Sequence, residues 1–151
     1  MVSLVEVTES NFTEICNLKV ADDQITYVST PLRILASAYA MRDRNARVWA
    51  IAEGNTLVGL LMVKDLYEEP ACYAIEQFLV DYRHQNMGYG SRALRLVIDI
   101  LSKERRYEAI EVCVKMENKQ AIKVYMNAGF IDTGFIDPSV PDSYCLRYDF
   151  K

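Results

Sequence analysis

The sequence predicts an α+β domain built on a mixed, mostly antiparallel sheet flanked by helices. Three observations lead to this class. Several short apolar runs have the length of strands, two stretches in the second half carry helical periodicity, and strands precede a strand–helix–strand–helix unit and a closing hairpin. The chain has 151 residues, the length of one domain, and no repeat or Pro/Gly-rich linker divides it. We therefore predict a single domain over residues 1–151.

The first half of the chain is predicted to supply strands and two helices. Ser10 is a candidate helix N-cap, Pro31 fits the first turn of a helix, and Gly54-Asn55 fits a tight hairpin turn. A nearly all-apolar strand is typical of a sheet centre. In order, the predicted elements are strand Val2–Val7, helix Ser10–Leu18, a helix from Thr30-Pro31, strands Arg47–Ala52 and Thr56–Val63, and the central strand Cys72–Val80.

The second half alternates helices and strands. Gly88-Tyr89-Gly90-Ser91 opens a helix after a polar loop, and the next helix ends at Gly129, a residue typical of the position after a helix. The first of these helices carries a continuous apolar stripe. Its members are Leu94, Val97, Ile98 and Leu101. The remaining predicted elements are strand Ala109–Val114, helix Asn118–Ala128, and strands Phe130–Ile136 and Ser143–Tyr148.

Composition and charge exclude several functional classes. Seventeen Lys and Arg against 21 Asp and Glu give a net charge of −4, which disfavours general attraction to nucleic acid. The longest uncharged run, Gly54–Val63, has ten residues, whereas a membrane-spanning helix needs about 20. Met1–Val7 reaches Glu6 before any apolar core forms, so we expect no secretory leader.

The cysteines predict neither a metal site nor disulfides. They lie far apart and form no Cys-x-x-Cys pair, and His84 is the only histidine. Metal sites with thiolate ligands need closely spaced pairs. We predict reduced thiols in a cytoplasmic protein and no metal. The four cysteines are Cys16, Cys72, Cys113 and Cys145.

The glycine loop before the long helix predicts an anion site. The first N–H groups of a helix lack intrahelical acceptors, and glycine lets a phosphate approach the backbone. An NTPase P-loop is excluded because Gly90 is followed by Ser91-Arg92 instead of Lys-Ser/Thr. A dinucleotide fingerprint fits Gly88-x-Gly90-x-x-Ala93, but it should follow its strand directly, and seven residues intervene.

A family pattern extends over nearly the whole chain. Gln85-x-x-Gly88-x-Gly90 after a central strand, followed by Asn118-x-x-Ala121-x-x-x-Tyr125-x-x-x-Gly129-Phe130, resembles the GCN5-related N-acetyltransferases. The resemblance implies acetyl-CoA as cofactor, with loop N–H groups on its pyrophosphate and the central strand along its pantetheine arm. An ordinary turn with two amphipathic helices is the alternative. The implied cofactor-binding residues are Phe78, Leu79, Val80, Gln85, Asn86, Met87, Gly88, Tyr89, Gly90, Ser91, Asn118, Ala121 and Tyr125.

Acetyl transfer to an amine has three requirements. The amine must be neutral although its pKa is near ~10.4, the developing oxyanion needs a hydrogen-bond donor, and the departing thiolate needs a proton. The resemblance assigns the proton to the Tyr125 hydroxyl and the donor to the backbone N–H of Leu79 or Val80. The alternative for Tyr125 is a core aromatic, because it shares an apolar stripe with Ile122 and Met126.

Glu76 is the candidate base. It stands nine residues before Gln85, where polyamine acetyltransferases of this family carry an acid. Strand alternation places Glu76 on the face opposite Ile75, and a carboxylate in an apolar strand is costly unless paired or hydrated. We therefore expect it to face a wet cleft. The alternative is a salt bridge to a neighbouring strand.

The acceptor is the least constrained prediction. The segment Val20–Val28 resembles the acceptor-lining segment of bacterial spermine/spermidine acetyltransferases, which implies a small cationic amine bound by Asp22, Asp23, Tyr27 and Glu76. The alternatives are a protein N-terminal, ribosomal-protein or other small-amine acetyltransferase, and a non-catalytic acyl-CoA-binding regulatory module. Family members are commonly homodimers, and we expect the same here by analogy.

Charge along the chain suggests two differently charged edges. Seven acids and no base lie between Lys19 and Arg33 and between Lys64 and Arg83. We expect these acids to face a cationic acceptor in one cleft. The alternative is that the loop acids are simply solvated; these are Asp22, Asp23, Glu68 and Glu69. Arginines near the glycine loop are candidates for the 3′-phosphate of coenzyme A, namely Arg83, Arg92 and Arg95.

Overall fold

A computed structural model describes all of residues 1–151 and confirms the predicted α+β class. The strands are β1 (Val2–Glu6), β2 (Arg47–Glu53), β3 (Thr56–Leu66), β4 (Cys72–Val80), β5 (Ala109–Lys115), β6 (Ile131–Asp132) and β7 (Ser143–Asp149). The helices are α1 (Phe12–Cys16), α2 (Pro31–Ala40), α3 (Tyr89–Glu104) and α4 (Lys119–Ala128), with short 3₁₀ turns at Asp22–Gln24, Arg42–Arg44 and Tyr82–His84.

The strands form one seven-stranded sheet in the order β1-β2-β3-β4-β5-β7-β6. Every neighbouring pair is antiparallel except β4 and β5, which run parallel and are joined by α3. A parallel pair needs such a crossover because its strands begin at the same edge of the sheet. The single parallel pair therefore lies in the middle of the sheet.

Helices cover both faces of the sheet. One face packs against α3 and α4, and Leu94, Val97 and Leu101 of the predicted stripe are fully buried there. The other face packs against α1 and α2 through Ile15 and Ile34. No helix in the chain is long and apolar enough to span a bilayer.

The predicted cap at Ser10 is wrong. The helix begins at Phe12, and the Ser10 hydroxyl instead lies 2.9 Å from the Thr8 hydroxyl. The Asn11 side chain accepts from Thr8 N at 2.8 Å and donates to Glu6 O at 2.8 Å, which holds the turn between β1 and α1. A local side-chain bond of this kind competes with capping. At the next helix, Thr30 caps α2 as expected by accepting from Arg33 N.

The strand predicted over Phe130–Ile136 is much shorter. Only Ile131–Asp132 pairs with β7. The Asp132 carboxylate then accepts from Gly134 N at 2.9 Å, and the Thr133 hydroxyl accepts from Phe135 N at 3.2 Å. These turn bonds take the backbone donors that a longer ladder would need.

A β-bulge interrupts β4 at Glu76. Met62 pairs with Gln77 and Val63 pairs with Ile75, so no β3 residue is paired with Glu76 in the backbone ladder. One extra residue reverses the alternation of faces beyond it. Strict alternation would place Ile75 and Gln77 on one face, and the bulge separates them. Glu76 still lies opposite Ile75, on the face of Lys64. Ile75 packs on the α3/α4 face, whereas Gln77 accepts a hydrogen bond on the other face from Ser29 N.

Candidate functional site

A cleft opens where β4 separates from β5. The two strands pair only at Tyr73–Ile75, and from there to Val80 β4 is paired with β3 alone. The space beyond has a volume of about 420 Å³ and lies between the end of β4, the loop before α3 and the first turns of α4. Most of the residues implied by the family resemblance meet here. They are Tyr27, Phe78, Leu79, Val80, Gln85, Asn86, Gly88, Tyr89, Gly90, Ser91, Asn118, Ala121 and Tyr125.

The predicted residues outside the cleft are three carboxylates and one methionine. Asp22 and Asp23 are exposed on their 3₁₀ turn, Met87 is about half exposed, and Glu76 points to Lys64. None of the four lines the cleft.

The phosphate loop, defined here as residues 85–91, presents backbone donors to the cleft. Gly88 is the N-cap of α3 with φ of +82°, a left-handed conformation that favours glycine, and Asn86 has φ of +63°. No backbone N–H of residues 86–91 donates a hydrogen bond within the protein. A row of free donors at the start of a 16-residue helix suits an anion such as a pyrophosphate.

Gly90 keeps this loop close to the strand. A Cβ built at Gly90 would lie 3.4 Å from Val80 Cγ2 and 3.8 Å from Phe78 Cζ. The α3 N-terminus therefore approaches β4 through a residue that has no side chain. This close approach places the free donors and the unpaired strand end in one cleft.

The direction of the β4 backbone distinguishes the two predicted oxyanion donors. Asp81 N donates to Val58 O at 2.8 Å, which sets the alternation of the β3–β4 ladder. By that alternation Leu79 turns its N–H toward β3, and Val80 turns its N–H and C=O away from β3. Accordingly, Val80 O accepts from Gln85 Nε2 at 2.9 Å. Of the two predicted donors, only the Val80 N–H is therefore directed away from β3 and free for a ligand.

Tyr125 lies at the inner end of the cleft. Its ring packs edge-on against Phe78 and Phe130, with centroids 6.2 Å and 5.3 Å away. Burial raises the pKa of Tyr125 above its usual range, and its hydroxyl bonds to no protein group. The side chain is thus both a core aromatic and a cleft-lining hydroxyl that stays protonated at neutral pH.

Asn118 begins α4 and lines the cleft. Its Oδ1 accepts from Ala121 N at 3.3 Å, which caps the helix. Its side-chain amide nitrogen donates to no protein group, which leaves a donor for a ligand in the cleft. The same asparagine therefore serves the helix and the site.

Glu76 forms an ion pair with Lys64. Glu76 Oε2 lies 3.1 Å from Lys64 Nζ on β3, and Lys64 also contacts the Met41 sulfur at 3.8 Å. The bulge turns Glu76 toward the α1/α2 face, where Lys64 and Met41 lie. This geometry corresponds to the salt-bridge alternative, and Glu76 does not line the cleft.

The predicted acidic edge does not line the cleft either. Asp65 is buried and accepts from both Arg106 amino groups, at 2.6 Å and 3.1 Å. Asp81 is also buried and accepts from Arg83 Nε at 2.8 Å. Burial favours a higher pKa for each carboxyl, but these hydrogen bonds outweigh it and lower the pKa of both. No carboxylate lines the cleft, and Glu68 and Glu69 lie on an exposed loop.

The arginines that are candidates for the 3′-phosphate differ in whether a protein group already pairs with them. Arg83 is engaged by Asp81, and Arg92 stacks over Tyr89 at 5.8 Å beside the phosphate loop. The structure records no ion pair for Arg95. No group of three or more His, Cys, Asp or Glu side chains is placed to hold a metal, and all four cysteines are free thiols.

A second, smaller cavity adjoins the first. It has a volume of about 270 Å³ and includes Tyr27, which also lines the main cleft. Glu117 and Asp142 contribute carboxylates to it, and Asp142 pairs with Lys115 at 2.9 Å. These acids lie outside both stretches that the charge pattern singled out.

Sequence reasoning missed three residues that hold the site together. Gln24 bonds the segment that carries Tyr27 to the phosphate loop, and Gln77 bonds the same segment to β4. Asp81 fixes the start of that segment by accepting from Lys19 N. A polar residue inside an apolar strand was the available signal for Gln77. Neither Gln24 nor Asp81 carries a comparable signal in sequence.

Comparison with known families gives one match over most of the chain. Residues 10–130 match the model of the acetyltransferase (GNAT) family. The chain is 24% identical over 140 residues to a spermine/spermidine N(1)-acetyltransferase of Bacillus subtilis (strain 168), which covers 90% of this chain and 91% of that protein.

Solved structures share the fold at low identity. An aminoglycoside acetyltransferase in complex with coenzyme A superposes with a TM-score of 0.80 at 16% identity, covering 99% of this chain and 95% of that one. Spermidine N-acetyltransferase from Vibrio cholerae, in complex with CoA and spermine, superposes with a TM-score of 0.71 at 17% identity, covering 97% and 92%.

Proposed function

The chain belongs to the acetyltransferase (GNAT) family and is an acetyl-CoA-dependent acetyltransferase, and from this premise we propose that its acceptor is a primary amine of the polyamine class. The observation that carries the catalytic part is the cleft itself, where free loop donors, the Val80 N–H and the Tyr125 hydroxyl meet. The names of the Bacillus and Vibrio relatives support the acceptor. The adjoining cavity is lined by Glu117 and Asp142 against one lysine, Lys115, and this net negative charge is consistent with a cationic chain.

The residues of the cleft suit the cofactor. The N–H groups of residues 86–91 would hold the pyrophosphate, and the outward-facing N–H and C=O of Phe78 would hydrogen-bond a pantetheine amide. The Val80 N–H is left for the reacting end of the cofactor. Asn118 would add a side-chain donor. Acetyl-CoA supplies an activated thioester when bound, and the protein supplies position, charge stabilisation and protons.

We propose the following roles for the protein in direct attack within a ternary complex. The Val80 N–H donates to the oxygen on which negative charge develops. As the C–N bond forms and the C–S bond breaks, the Tyr125 hydroxyl, kept protonated by burial, gives its proton to the departing sulfur. The second proton that the nitrogen loses as the amide forms restores the Tyr125 hydroxyl. The amine nitrogen must lose its proton before attack. We propose Glu76 as the group that receives this proton through water, with its structural role toward Lys64 as the competing assignment.

The acceptor is tested by a panel with one readout. Purified protein with acetyl-CoA is offered spermidine, spermine, an aminoglycoside and a peptide with a free N-terminus, and thiol release is measured. We expect turnover with the polyamines. Turnover on the peptide without turnover on spermidine would overturn the polyamine assignment. Tight CoA binding without turnover on any acceptor would favour the acyl-CoA-binding module.

Two further proposals follow from the family resemblance. We propose a homodimer and a cytoplasmic location, in keeping with four unpaired thiols. Sedimentation equilibrium tests the first, and fractionation of cells expressing the tagged chain tests the second.

A further inference from the structure

The segment between α1 and α2 is fastened at three points to the strand and loop that form the cleft. We call residues 17–30 the acceptor segment, since it carries Tyr27. Its start, middle and end each have a partner between residues 77 and 85. At the start, Lys19 N donates to Asp81 Oδ2 at 3.1 Å and Lys19 O accepts from Tyr82 N at 2.8 Å. In the middle, Gln85 Nε2 donates to Gln24 Oε1 at 2.7 Å, and at the end Ser29 N donates to Gln77 Oε1 at 3.0 Å.

The middle connection differs from the other two because it joins two side-chain amides reciprocally. Gln24 Nε2 donates back to Gln85 Oε1 at 3.1 Å, and Gln24 Oε1 also accepts from Ala21 N at 3.2 Å. The Gln85 amide also donates to Val80 O. Gln24 therefore links the acceptor segment to the strand end that presents the Val80 N–H to the cleft.

Only the middle connection reaches the phosphate loop. Gln77 belongs to β4, and Asp81 is the residue that follows β4, so both end connections are made to the central strand and its direct continuation. Gln85 is the first residue of the phosphate loop, whose N–H groups have no acceptor in the protein. An anion bound by those N–H groups would order the loop, and the Gln24–Gln85 pair is the connection through which that order would reach the acceptor segment.

We propose that Gln24 is a positioning residue that couples occupancy of the phosphate loop to the conformation of the acceptor segment. Cofactor binding then raises the affinity for the amine, and the reciprocal effect follows from linkage. The inference rests on the proposed function because it takes coenzyme A as the ligand of the loop. It adds a role to Gln24, which lies in the segment Val20–Val28 but to which the resemblance assigns no function.

A second route between the same elements provides a matched control. Gln24 Nε2 also donates to Gln120 Oε1 at 3.4 Å, and Gln120 Nε2 donates to Asn86 Oδ1 at 3.2 Å. These bonds are longer and exposed, so we assign them a smaller share of the coupling. Gln120→Ala removes this route and leaves the Gln24–Gln85 pair intact.

The test measures amide hydrogen exchange of the full chain with and without coenzyme A. In the wild type, we expect coenzyme A to slow exchange in residues 86–91 and in residues 19–29. In Gln24→Ala, we expect slowing at 86–91 to persist and slowing at 19–29 to fall about threefold to tenfold, the effect of one net hydrogen bond. Gln120→Ala should behave like the wild type. Melting temperatures of both variants check that they fold.

Each other outcome overturns a stated claim. A purely structural role for Gln24 would speed exchange of the acceptor segment equally with and without coenzyme A, which would overturn the coupling. Loss of coupling in both variants would overturn the assigned route, because Gln120 would then carry it too. If coenzyme A fails to slow exchange at 86–91 in the wild type, the proposed function fails and the inference with it. Slowing there with unchanged coupling in Gln24→Ala overturns the inference alone.

Discussion

Tyr125→Phe removes the proposed proton donor while leaving the surrounding packing in place. The ring keeps its edge-on contacts with Phe78 and Phe130. Because the hydroxyl bonds to no protein group, its loss leaves no buried partner unsatisfied. We therefore expect the free energy of unfolding to change by less than about 1 kcal/mol.

The expected loss of activity is much larger. A positioned general acid contributes typically about 10²-fold or more, so kcat should fall about 10²-fold, equivalent to about 2.7 kcal/mol on the barrier. Burial raises the pKa of Tyr125 above its ordinary value near 10. The hydroxyl therefore stays protonated as pH rises through the neutral range, and it should contribute no loss of kcat between pH 7 and 9.

The assay is thiol release at saturating acetyl-CoA with the best amine of the panel, alongside the melting temperature. Tyr148→Phe is the matched control, because Tyr148 packs on Phe130 at 5.5 Å in the same aromatic cluster but does not line the cleft. We expect wild-type turnover from the control. A kcat for Tyr125→Phe within about twofold of wild type would refute the general-acid role.

Three further changes test the phosphate loop at Gly88, the buried carboxylate of Asp65 and the candidate base Glu76. Gly88→Ala should weaken coenzyme A binding about tenfold in calorimetry, because a left-handed residue with a Cβ costs about 1–2 kcal/mol; Gly54→Ala, also left-handed but outside the cleft, should cost stability alone. Asp65→Asn should lower the free energy of unfolding by about 1.5–3 kcal/mol at pH 7. Because folding lowers the Asp65 pKa, its stabilisation is present above the unfolded value of about 3.9 and is lost on acidification, so the variant should lose less stability than wild type below about pH 4 in denaturant titrations. Glu76→Gln should shift the acidic limb of the pH–rate profile if Glu76 is the base, whereas an unchanged profile with a lower melting temperature would leave only its ion pair with Lys64.

The parts of the site that the sequence predicts well are those whose geometry is local. A left-handed glycine at a helix start, an asparagine cap and an apolar stripe each depend on neighbours within a few residues. Gly88, Asn118 and Tyr125 follow such local rules, and all three line one cleft. The motif spacing then suffices, because each helix places its own residues.

The acidic residues show why the acceptor side could not be predicted in the same way. A run of acids without bases indicates charge but not partners. Asp65 accepts from the Arg106 side chain, 41 residues away, and Asp81 accepts from the Lys19 backbone, 62 residues away. Only tertiary structure brings such groups together, and it buries these carboxylates as internal anchors. The charge pattern therefore placed Asp65 and Asp81 on the acceptor side, although both carboxylates stabilise the fold.

The bulge at Glu76 accounts for most of the remaining difference between the expected and the observed faces of β4. An extra residue bends and twists the bulged strand, and the pairing of β4 with β5 ends at Ile75, immediately before it. Beyond the bulge the faces are exchanged, so Phe78 packs toward α4 and Gln77 reaches the acceptor segment. The bulge residue Glu76 thus marks the point where the cleft opens. It also sets which side chains of β4 face α4 and which face the acceptor segment. A deletion of Glu76 should restore strict alternation, exchange the faces of Gln77–Val80 and abolish coenzyme A binding, whereas Glu76→Ala should keep the bulge and the binding. Retained binding in the deletion variant, measured by calorimetry on folded protein, would show that the cleft does not depend on the bulge.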